Sequence, residues 1–316
     1  MKTALTLFTL LTAATVQASP VPVSPQQAPG YYRMMVGDWQ VTAVSDGTVN
    51  VPLDKLLTHI SGDKLKARLA NDAMTPLAET SINAFVINTG KKLILVDTGA
   101  GTLMGKAGGH LLQNLRAAGF APENIDLVLL THIHGDHSGG VQRNGRPAFP
   151  NAVVYVEQKD VDWWLNPANS NNVEASQRHT FAESELSMRP VINAGKLHPF
   201  HAPTEIIPGI TAMPAAGHTP GSVIYRLSRN GENMIFWGDI IHAKAVQMPD
   251  PQVAIHFDVN QQQAIATRER VLASTAASGE WVAAAHIAFP GFGQVKKSPA
   301  GGYRWIPVNY SASAVK

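Results

Sequence analysis

Three histidines and one aspartate fall within six residues, as His132, His134, Asp136 and His137. They directly follow an apolar run, residues 125–130, that predicts a buried strand. Imidazole and carboxylate groups crowded at a strand end repel and desolvate one another unless an ion offsets that cost. Four such groups exceed the needs of one tetrahedral ion with an open position, and an extended turn would direct the first two histidines away from the Asp-His pair. The spacing therefore predicts two metal ions.

The composition limits the kinds of molecule that the protein is expected to bind. The chain has 316 residues, 45% of them hydrophobic, so it can bury a large core as one domain or at most two. Only 15% of the residues are charged and the formal net charge is +2, so no basic footprint for nucleic acid or an acidic membrane is visible. No cysteine is present, which excludes disulfides and thiolate ligands. We expect a small-molecule substrate and neither nucleic acid nor membrane as a partner.

The first residues have the pattern of an export signal. A positively charged start precedes a mildly apolar stretch, residues 5–16, and a small-x-small cleavage site that ends at Ala18. We expect residues 1–18 to be a signal peptide and the mature protein to be periplasmic or secreted. Residues 19–35 are rich in proline, serine and glutamine, which predicts a flexible arm.

The remaining chain, residues 36–316, is predicted to be one catalytic domain. Residues 36–44 alternate apolar and polar side chains, which predicts a strand, and residues 53–70 carry leucines at helical spacing. A long helix is predicted over 260–277, ended by Gly279. Both halves consist of strands followed by helices, so we expect an α/β fold, a sandwich of two mixed sheets flanked by helices.

Three further metal-capable residues each follow an apolar strand: His218, Asp239 and His286. Taken singly, each has an ordinary explanation, because a Gly-His-Thr turn is common and an aspartate at a strand end is usually a cap. In this order, after the His-x-His-x-Asp-His motif, they resemble the signature of the metallo-β-lactamase-fold hydrolases. The Asp97-Thr98-Gly99 turn is a second similarity to that family, in which the aspartate organises hydrogen bonds beneath the metal site.

The resemblance implies seven ligands in two groups, namely His132, His134 and His218 for one metal, Asp136, His137 and His286 for the other, and Asp239 as the bridge. Two divalent cations about 3.5–4 Å apart lower the pKa of a shared water, which supplies the attacking hydroxide. Asp136 and Asp239 are then the catalytic carboxylates, and Asp136 orients the nucleophile or accepts its proton. Imidazole and carboxylate ligands favour zinc, although cobalt, manganese and iron fit the same set.

Two longer segments, residues 284–293 and 302–310, resemble methyl parathion hydrolase and its relatives. That group includes organophosphate triester hydrolases and hydrolases of aryl lactones or esters, on a fold known for secreted dimers. The resemblance implies a homodimer. It covers nearly the whole mature chain.

A substrate pocket is expected beside the metals, with an apolar wall for an aryl group. Its candidate residues are Met104, Trp163, Trp164, Phe181, His242, Ile255 and Phe257. The alternative explanation is that the aromatic residues belong to the core. His242 lies three residues after Asp239, so we expect it to hydrogen-bond a leaving group or lactone oxygen. Met104 replaces an aromatic residue frequent in the phosphotriesterases.

These features favour an aryl lactone or ester as the substrate, with organophosphate triester hydrolysis as a secondary activity. The main alternative is a phosphotriesterase of the methyl parathion hydrolase type. A β-lactamase is less favoured because those enzymes generally lack the bridging carboxylate. A non-enzymatic metal-binding protein would have no reason to keep an open position beside an apolar cleft.

Overall fold

The computed structural model describes residues 20–25 and 27–312, so the predicted signal peptide lies outside the described residues. The strands are β1 (Tyr31–Val36), β2 (Trp39–Pro52), β3 (Leu57–Thr58), β4 (Leu77–Asn88), β5 (Leu93–Val96), β6 (Leu127–Leu129), β7 (Gln142–Arg143), β8 (Arg146–Pro147), β9 (Val153–Glu157), β10 (Leu197–Phe200), β11 (Thr204–Ile207), β12 (Ile210–Pro214), β13 (Val223–Arg229), β14 (Glu232–Phe236), β15 (Ala254–Ile255), β16 (Trp281–Ala283), β17 (Phe292–Lys297) and β18 (Tyr303–Pro307). The helices are α1 (Leu53–Leu56), α2 (Gly62–Asn71), α3 (Leu111–Ala117), α4 (Gly135–Ser138), α5 (Gln158–Trp164), α6 (His179–Asn193), α7 (Lys244–Gln247) and α8 (Gln261–Ser278).

Two seven-stranded mixed sheets form the centre of the molecule. The first has the order β1-β2-β4-β5-β6-β9-β10, and the second has the order β11-β12-β13-β14-β16-β17-β18. In the first sheet β5, β6, β9 and β10 run parallel to one another, whereas the pairs β1-β2, β2-β4 and β4-β5 are antiparallel. In the second sheet only β14 and β16 form a parallel pair. The predicted fold class, a sandwich of two mixed sheets flanked by helices, is confirmed.

The core is arranged in three layers that explain this architecture. Between the sheets, Phe85 contacts Phe236 and Phe292 with ring centroids 5.6 and 5.4 Å apart. Helices α3, α5 and α6 cover the outer face of the first sheet, and α8 covers that of the second. Because strands such as β5 and β6 are buried on both faces, their sequences are continuously apolar instead of alternating.

Two local predictions are wrong. The predicted arm, residues 19–35, ends in strand β1, because residues 31–35 pair with β2 and the side chains of Tyr32 and Met34 pack against the core. The helix predicted over 53–70 is broken into α1, the short strand β3 and α2, with His59 at a positive φ of 62° between them. By contrast, the long helix is found as α8, which Asn260 caps and which Gly279 ends in the left-handed conformation.

The loops that leave β6, β12, β14 and β16 meet between the two sheets, and they carry the predicted metal ligands. A backbone hydrogen bond from Val223 N to Thr131 O, 2.9 Å long, joins the loop after β6 to the second sheet. A second one joins Asn83 N of β4 to Ala285 O at 3.0 Å. Among the described helices, none has the length and apolar character needed to cross a membrane.

Candidate metal centre

The structure brings all seven predicted ligands together. His132 and His134 lie on the loop after β6, and Asp136 and His137 lie in the short helix α4 that follows. His218 lies in the turn between β12 and β13, Asp239 after β14, and His286 after β16. Their ligand atoms form two clusters, and within each cluster the atoms lie within 4.8 Å of one another. The members are His132, His134, His218 and Asp239 in one cluster, and Asp136, His137 and His286 in the other. A third cluster of the same kind, Asp239, His242 and His286, shares one residue with each of these two.

Asp239 lies between the two clusters and presents one oxygen to each. Its Oδ2 atom lies 3.1 Å from His218 Nε2 and 3.7 Å from His132 Nε2. Its Oδ1 atom lies 2.9 Å from His137 Nε2 and 3.1 Å from His286 Nε2. One carboxylate that faces two sets of imidazole nitrogens is the arrangement expected of a bridging ligand.

The spacing of the ligand atoms fits metal coordination. A tetrahedral ion with metal–nitrogen bonds of about 2.0–2.1 Å holds its ligand atoms roughly 3.3 Å apart. The two Nε2 atoms of His137 and His286 lie 3.3 Å apart, and His218 Nε2 lies 2.9 Å from His134 Nδ1. Nε2 of His132 and Oδ1 of Asp239 are buried without a hydrogen-bond partner among the described residues. Unpaired buried polar atoms are costly, so the donor set fits a pair of divalent cations between these atoms.

Groups behind the ligands fix the orientation of three imidazole rings. His137 donates from Nδ1 to Asp97 Oδ2 at 2.9 Å, and His218 donates from Nδ1 to Asp258 Oδ1 at 2.9 Å. His286 Nδ1 lies 2.9 Å from the backbone carbonyl of a β4 residue. Such partners select the tautomer that leaves the other nitrogen free for the metal. Asp97 therefore has the organising role that the sequence predicted.

The charges around Asp239 concentrate positive charge at the centre. Burial lowers the pKa of His132 and His134 well below the usual range, and neighbouring imidazoles add to this effect. Burial also opposes protonation of His218, but the carboxylates of Asp239 and Asp258 outweigh it and raise its pKa to about 9. Burial would raise the pKa of Asp239, yet the surrounding imidazoles hold it well below its usual range. The carboxylate of Asp239 thus stays ionised among its imidazoles, and a divalent cation that binds there would displace the proton of His218.

A buried aspartate that was not predicted from the sequence holds two ligand loops together. Asp160 is fully buried in α5, and it accepts from Ile133 N at 2.9 Å and from Gly221 N at 2.7 Å. Burial raises the pKa of Asp160 to about 6, against the opposing effect of these hydrogen bonds. An aspartate within an amphipathic helix gives no signal in sequence, because its partners are distant along the chain.

A cavity of about 260 Å³ opens above the ligands. Its floor contains Asp136, Asp239 and His286, and Asp136 is the most exposed of the three, with 19% of its side-chain surface accessible. The apolar part of its wall consists of Val49, Val51, Pro52, Leu56, Met104, Trp164 and Phe257. The polar part consists of Asn50, Thr80, Ser176, Gln177, His179, Thr180, Glu183 and His256.

Four of the seven predicted pocket residues line this cavity: Met104, Trp164, His242 and Phe257. The other three do not, and the assignment is corrected. Phe181 is buried in the core under α5 and α6, and Trp163 packs at the edge of the same core, because only Trp164 of the pair points to the cavity. Ile255 is fully buried in a small core beneath the cavity wall.

His242 lies directly against the bridging carboxylate. Its Nε2 atom lies 3.0 Å from Asp239 Oδ2, and its Nδ1 atom is buried without a partner. Its ring is stacked on that of His286 with centroids 5.5 Å apart. The ring therefore forms part of the environment of the bridging carboxylate, and its contact with a leaving group or lactone oxygen stays a prediction.

Comparison with known proteins agrees with this geometry. Residues 77–286 match the metallo-beta-lactamase superfamily, which is more than half of the chain. The hydrolase AbOPH of the beta lactamase superfamily is 34% identical, with a TM-score of 0.86 over 90% of this chain and 100% of that chain. AidC, a dizinc quorum-quenching lactonase solved in complex with the product N-hexnoyl-L-homoserine, is 26% identical, with a TM-score of 0.83 over 89% of this chain and 98% of that chain.

Curated relatives match shorter parts. The N-acyl homoserine lactonase of Bacillus sp is 24% identical over 51% of this chain, and the exodeoxyribonuclease WalJ of Streptococcus pneumoniae is 34% identical over 32% of it. The chain spans 65% and 35% of the lengths of these two relatives, respectively. The matched family, the two-sheet fold and the seven-residue cluster agree, and the chain belongs to the metallo-beta-lactamase superfamily.

Proposed function

We propose that this metallo-beta-lactamase superfamily hydrolase acts on lactones or esters that carry an aryl group. The observation that carries the proposal is the position of the ligand cluster on the floor of a cavity with apolar walls. The cavity volume of about 260 Å³ lies just below the range of about 300–1,000 Å³ typical of ligand pockets, which favours a compact substrate. Trp164 and Phe257 offer aromatic surface to an aryl ring.

The reaction adds water across the ester bond. The acyl carbon gains the hydroxyl group, the bond from that carbon to the ester oxygen breaks, and the released oxygen takes up a proton. A lactone therefore yields a hydroxy acid. Two divalent ions, for which zinc is our proposal, would supply electrophilic polarisation of the carbonyl oxygen and acidify a bound water.

The side chains of the chain itself account for the remaining steps. The Asp136 carboxylate is the cluster carboxylate most exposed to the cavity, so it is suited to orient the attacking water and accept its proton. Asp239 is held between five imidazoles and fixes the two ligand groups relative to each other. Met104 and Trp164 exclude bulk water from one side of the site and hold the apolar part of the substrate.

A second candidate, hydrolysis of acylated homoserine lactones, is favoured by one observation. The similarity to AidC extends over 89% of this chain, and the similarity to a Bacillus lactonase over 51%. Phosphotriester hydrolysis, as secondary or main activity, remains the other proposal, because the same nucleophile and electrophile serve a phosphorus centre.

The test is a comparison of kcat/KM for three substrates with the zinc-loaded protein: an aryl lactone, an N-hexanoyl homoserine lactone and a dimethyl aryl phosphotriester. We expect the aryl lactone to be preferred by at least about tenfold over each of the others. A preference for the acylated homoserine lactone would show that the second candidate, hydrolysis of acylated homoserine lactones, is the main activity. A preference for the phosphotriester would contradict the assignment to carbonyl substrates.

We further propose that the protein is exported and dimeric. Both statements are supported by the sequence pattern and by the resemblance noted above. N-terminal sequencing of the mature protein should give Ser19 as its first residue, and light scattering should give twice the mass of one mature chain. An uncleaved N-terminus or a monomer mass would contradict them.

A further inference from the structure

The cavity has an uneven distribution of charged side chains. No lysine or arginine of the described chain lines it, whereas three carboxylates do: Asp136, Asp239 and Glu183. Two of these belong to the metal-ligand set and would be neutralised by bound cations. Glu183 is therefore the one lining carboxylate outside the ligand cluster, and its charge is not used for coordination.

Glu183 is held close to the metal centre. It lies on α6, half-buried, and its Oε2 atom is 2.8 Å from the position that a Cβ at Gly135 would take. Gly135 separates the ligands His134 and Asp136 along the chain, so the carboxylate sits directly on the backbone between them. Any side chain larger than glycine at residue 135 would displace it.

Neighbouring charges act on Glu183 through space. Burial raises its pKa, His179 one turn earlier on α6 lowers it, and the like charge of Asp136 raises it further. The carboxylate thus interacts electrostatically with the most exposed ligand of the cluster. A negatively charged group entering the cavity would meet the same repulsion.

This repulsion has a consequence for the proposed reaction, on which the inference rests. A lactone or ester substrate is neutral, whereas the acid produced by its hydrolysis is an anion. Two divalent cations with only two carboxylate ligands would attract that anion and retain it. A fixed negative charge beside the ligands would weaken its binding while leaving the neutral substrate less affected.

We propose that Glu183 is a specificity-determining residue that discriminates against anions, so that neutral esters are selected and the carboxylate product is released. The residue acts on binding and not on bond cleavage. The same charge disfavours substrates that carry a carboxylate, such as β-lactams.

The experiment uses two esters of nearly equal shape, 4-acetoxybenzoate and 4-acetoxybenzamide, which differ by one negative charge. The ratio of kcat/KM for the anion to that for the amide is measured with the zinc-loaded wild type and Glu183→Gln at low ionic strength. We expect the ratio to rise roughly three- to tenfold in the variant, and the rise to shrink at high salt. Glu185→Gln is the matched control, because Glu185 lies on the same helix, pairs with Arg189 and does not line the cavity.

Binding of benzoate and benzamide to the same proteins is measured by calorimetry. Glu183→Gln should bind benzoate roughly three- to tenfold more tightly relative to benzamide. A purely structural role would lower both rates together and leave the ratios unchanged. Unchanged ratios in Glu183→Gln, or equal changes in Glu185→Gln, would overturn the inference. If neither ester is hydrolysed, the proposed function fails, and the calorimetric ratio still decides the role of Glu183.

Discussion

In each of the two ligand groups a buried aspartate orients one histidine, but the two aspartates lie in different parts of the molecule. In each group one histidine donates to a buried aspartate at 2.9 Å, His137 to Asp97 and His218 to Asp258. Asp97 belongs to the interior of the first sheet, since it follows β5 and also accepts from Thr131 N at 2.8 Å. Asp258 is buried behind the cavity wall, directly after the wall residue Phe257.

The surroundings of Asp258 strengthen this contrast. Its Oδ2 atom accepts from Ile255 N at 3.3 Å and lies 3.6 Å from the buried guanidinium of Arg268. Arg268 also donates to the carbonyls of Ile240 and Val253, both 2.8 Å away. The group of His218 is therefore coupled to the loop that shapes the substrate wall, whereas the group of His137 is coupled to the sheet. The comparison suggests that metal affinity and substrate preference can be separated by mutation.

Removal of the bridging carboxylate should lower activity and metal binding most, because Asp239 is the residue that both ligand groups share. Asp239→Asn replaces a carboxylate that faces five imidazoles, and loss of one partner in a buried charged set costs about 3–5 kcal/mol. We expect kcat/KM for an aryl lactone to fall by about 100-fold or more, with fewer than two metals bound per chain. Metal analysis and kinetics measure both. Asp38→Asn, which breaks an exposed pair with Arg229, is the control, and an equal loss there would contradict the bridging role.

Asp97→Asn should weaken metal binding by the group of His137 more than by the group of His218, because Asp97 contacts His137 directly and reaches His132 only through Thr131. The amide presents a hydrogen-bond donor to a ligand imidazole or to Thr131, so His137 loses its orientation. Loss of such a partner typically lowers metal affinity or activity about 10- to 100-fold. Competition with a chelator should show one weakened site and one nearly normal site. Two equally weakened sites would show that the groups are not separable.

Asp258→Asn should weaken metal binding by the group of His218 by a similar factor and should also disturb substrate binding. The change affects both His218 and the Ile255 backbone, so the wall around Phe257 loses an anchor. We expect a rise of about 10- to 100-fold in the dissociation constant of one metal, together with a KM for aryl lactones several-fold above that of Asp97→Asn at saturating zinc. Identical KM values in the two variants would refute the proposed coupling to the wall.

Phe257→Ala should have the smallest effect and act on the substrate wall alone. Loss of one aromatic contact is worth about 0.5–1.5 kcal/mol, which corresponds to a roughly two- to tenfold higher KM for an aryl lactone. Metal content should stay at the wild-type value. Leu186→Ala, at an exposed position on α6 outside the cavity, serves as the control. A loss of metal in Phe257→Ala would mean that the wall and the ligands are not distinct.

The seven metal ligands could be predicted from the sequence for a physical reason. Each one lies in the segment that follows an apolar strand, and the ends of β6 in the first sheet and of β12, β14 and β16 in the second converge in space. The His-x-His-x-Asp-His run gives four of the seven side chains in one turn. Charge clustering of this kind needs an ion, whatever the rest of the fold is. The two-sheet architecture followed from the same strand pattern and the family resemblance.

The supporting groups and the cavity wall could not be predicted in the same way. Asp160 and Asp258 act across 27 or more residues, and nothing in their local sequence distinguishes them from surface aspartates. Trp163 and Trp164 are neighbours on a helix and point in different directions, so the choice between cavity and core depends on how α5 packs. Helix α6, which carries Glu183, has Ser184 and Ser187 on its buried side, so apolar spacing does not reveal it.

The most direct test of the central claim, a two-metal centre that hydrolyses a carbonyl substrate, is a titration of the metal-free protein with zinc. Hydrolysis of an aryl lactone is followed as zinc is added to protein stripped by a chelator. We predict negligible turnover without metal and a rise that is complete near two equivalents of zinc per chain. Full turnover in the metal-free protein, or a rise complete at one equivalent, would contradict the account.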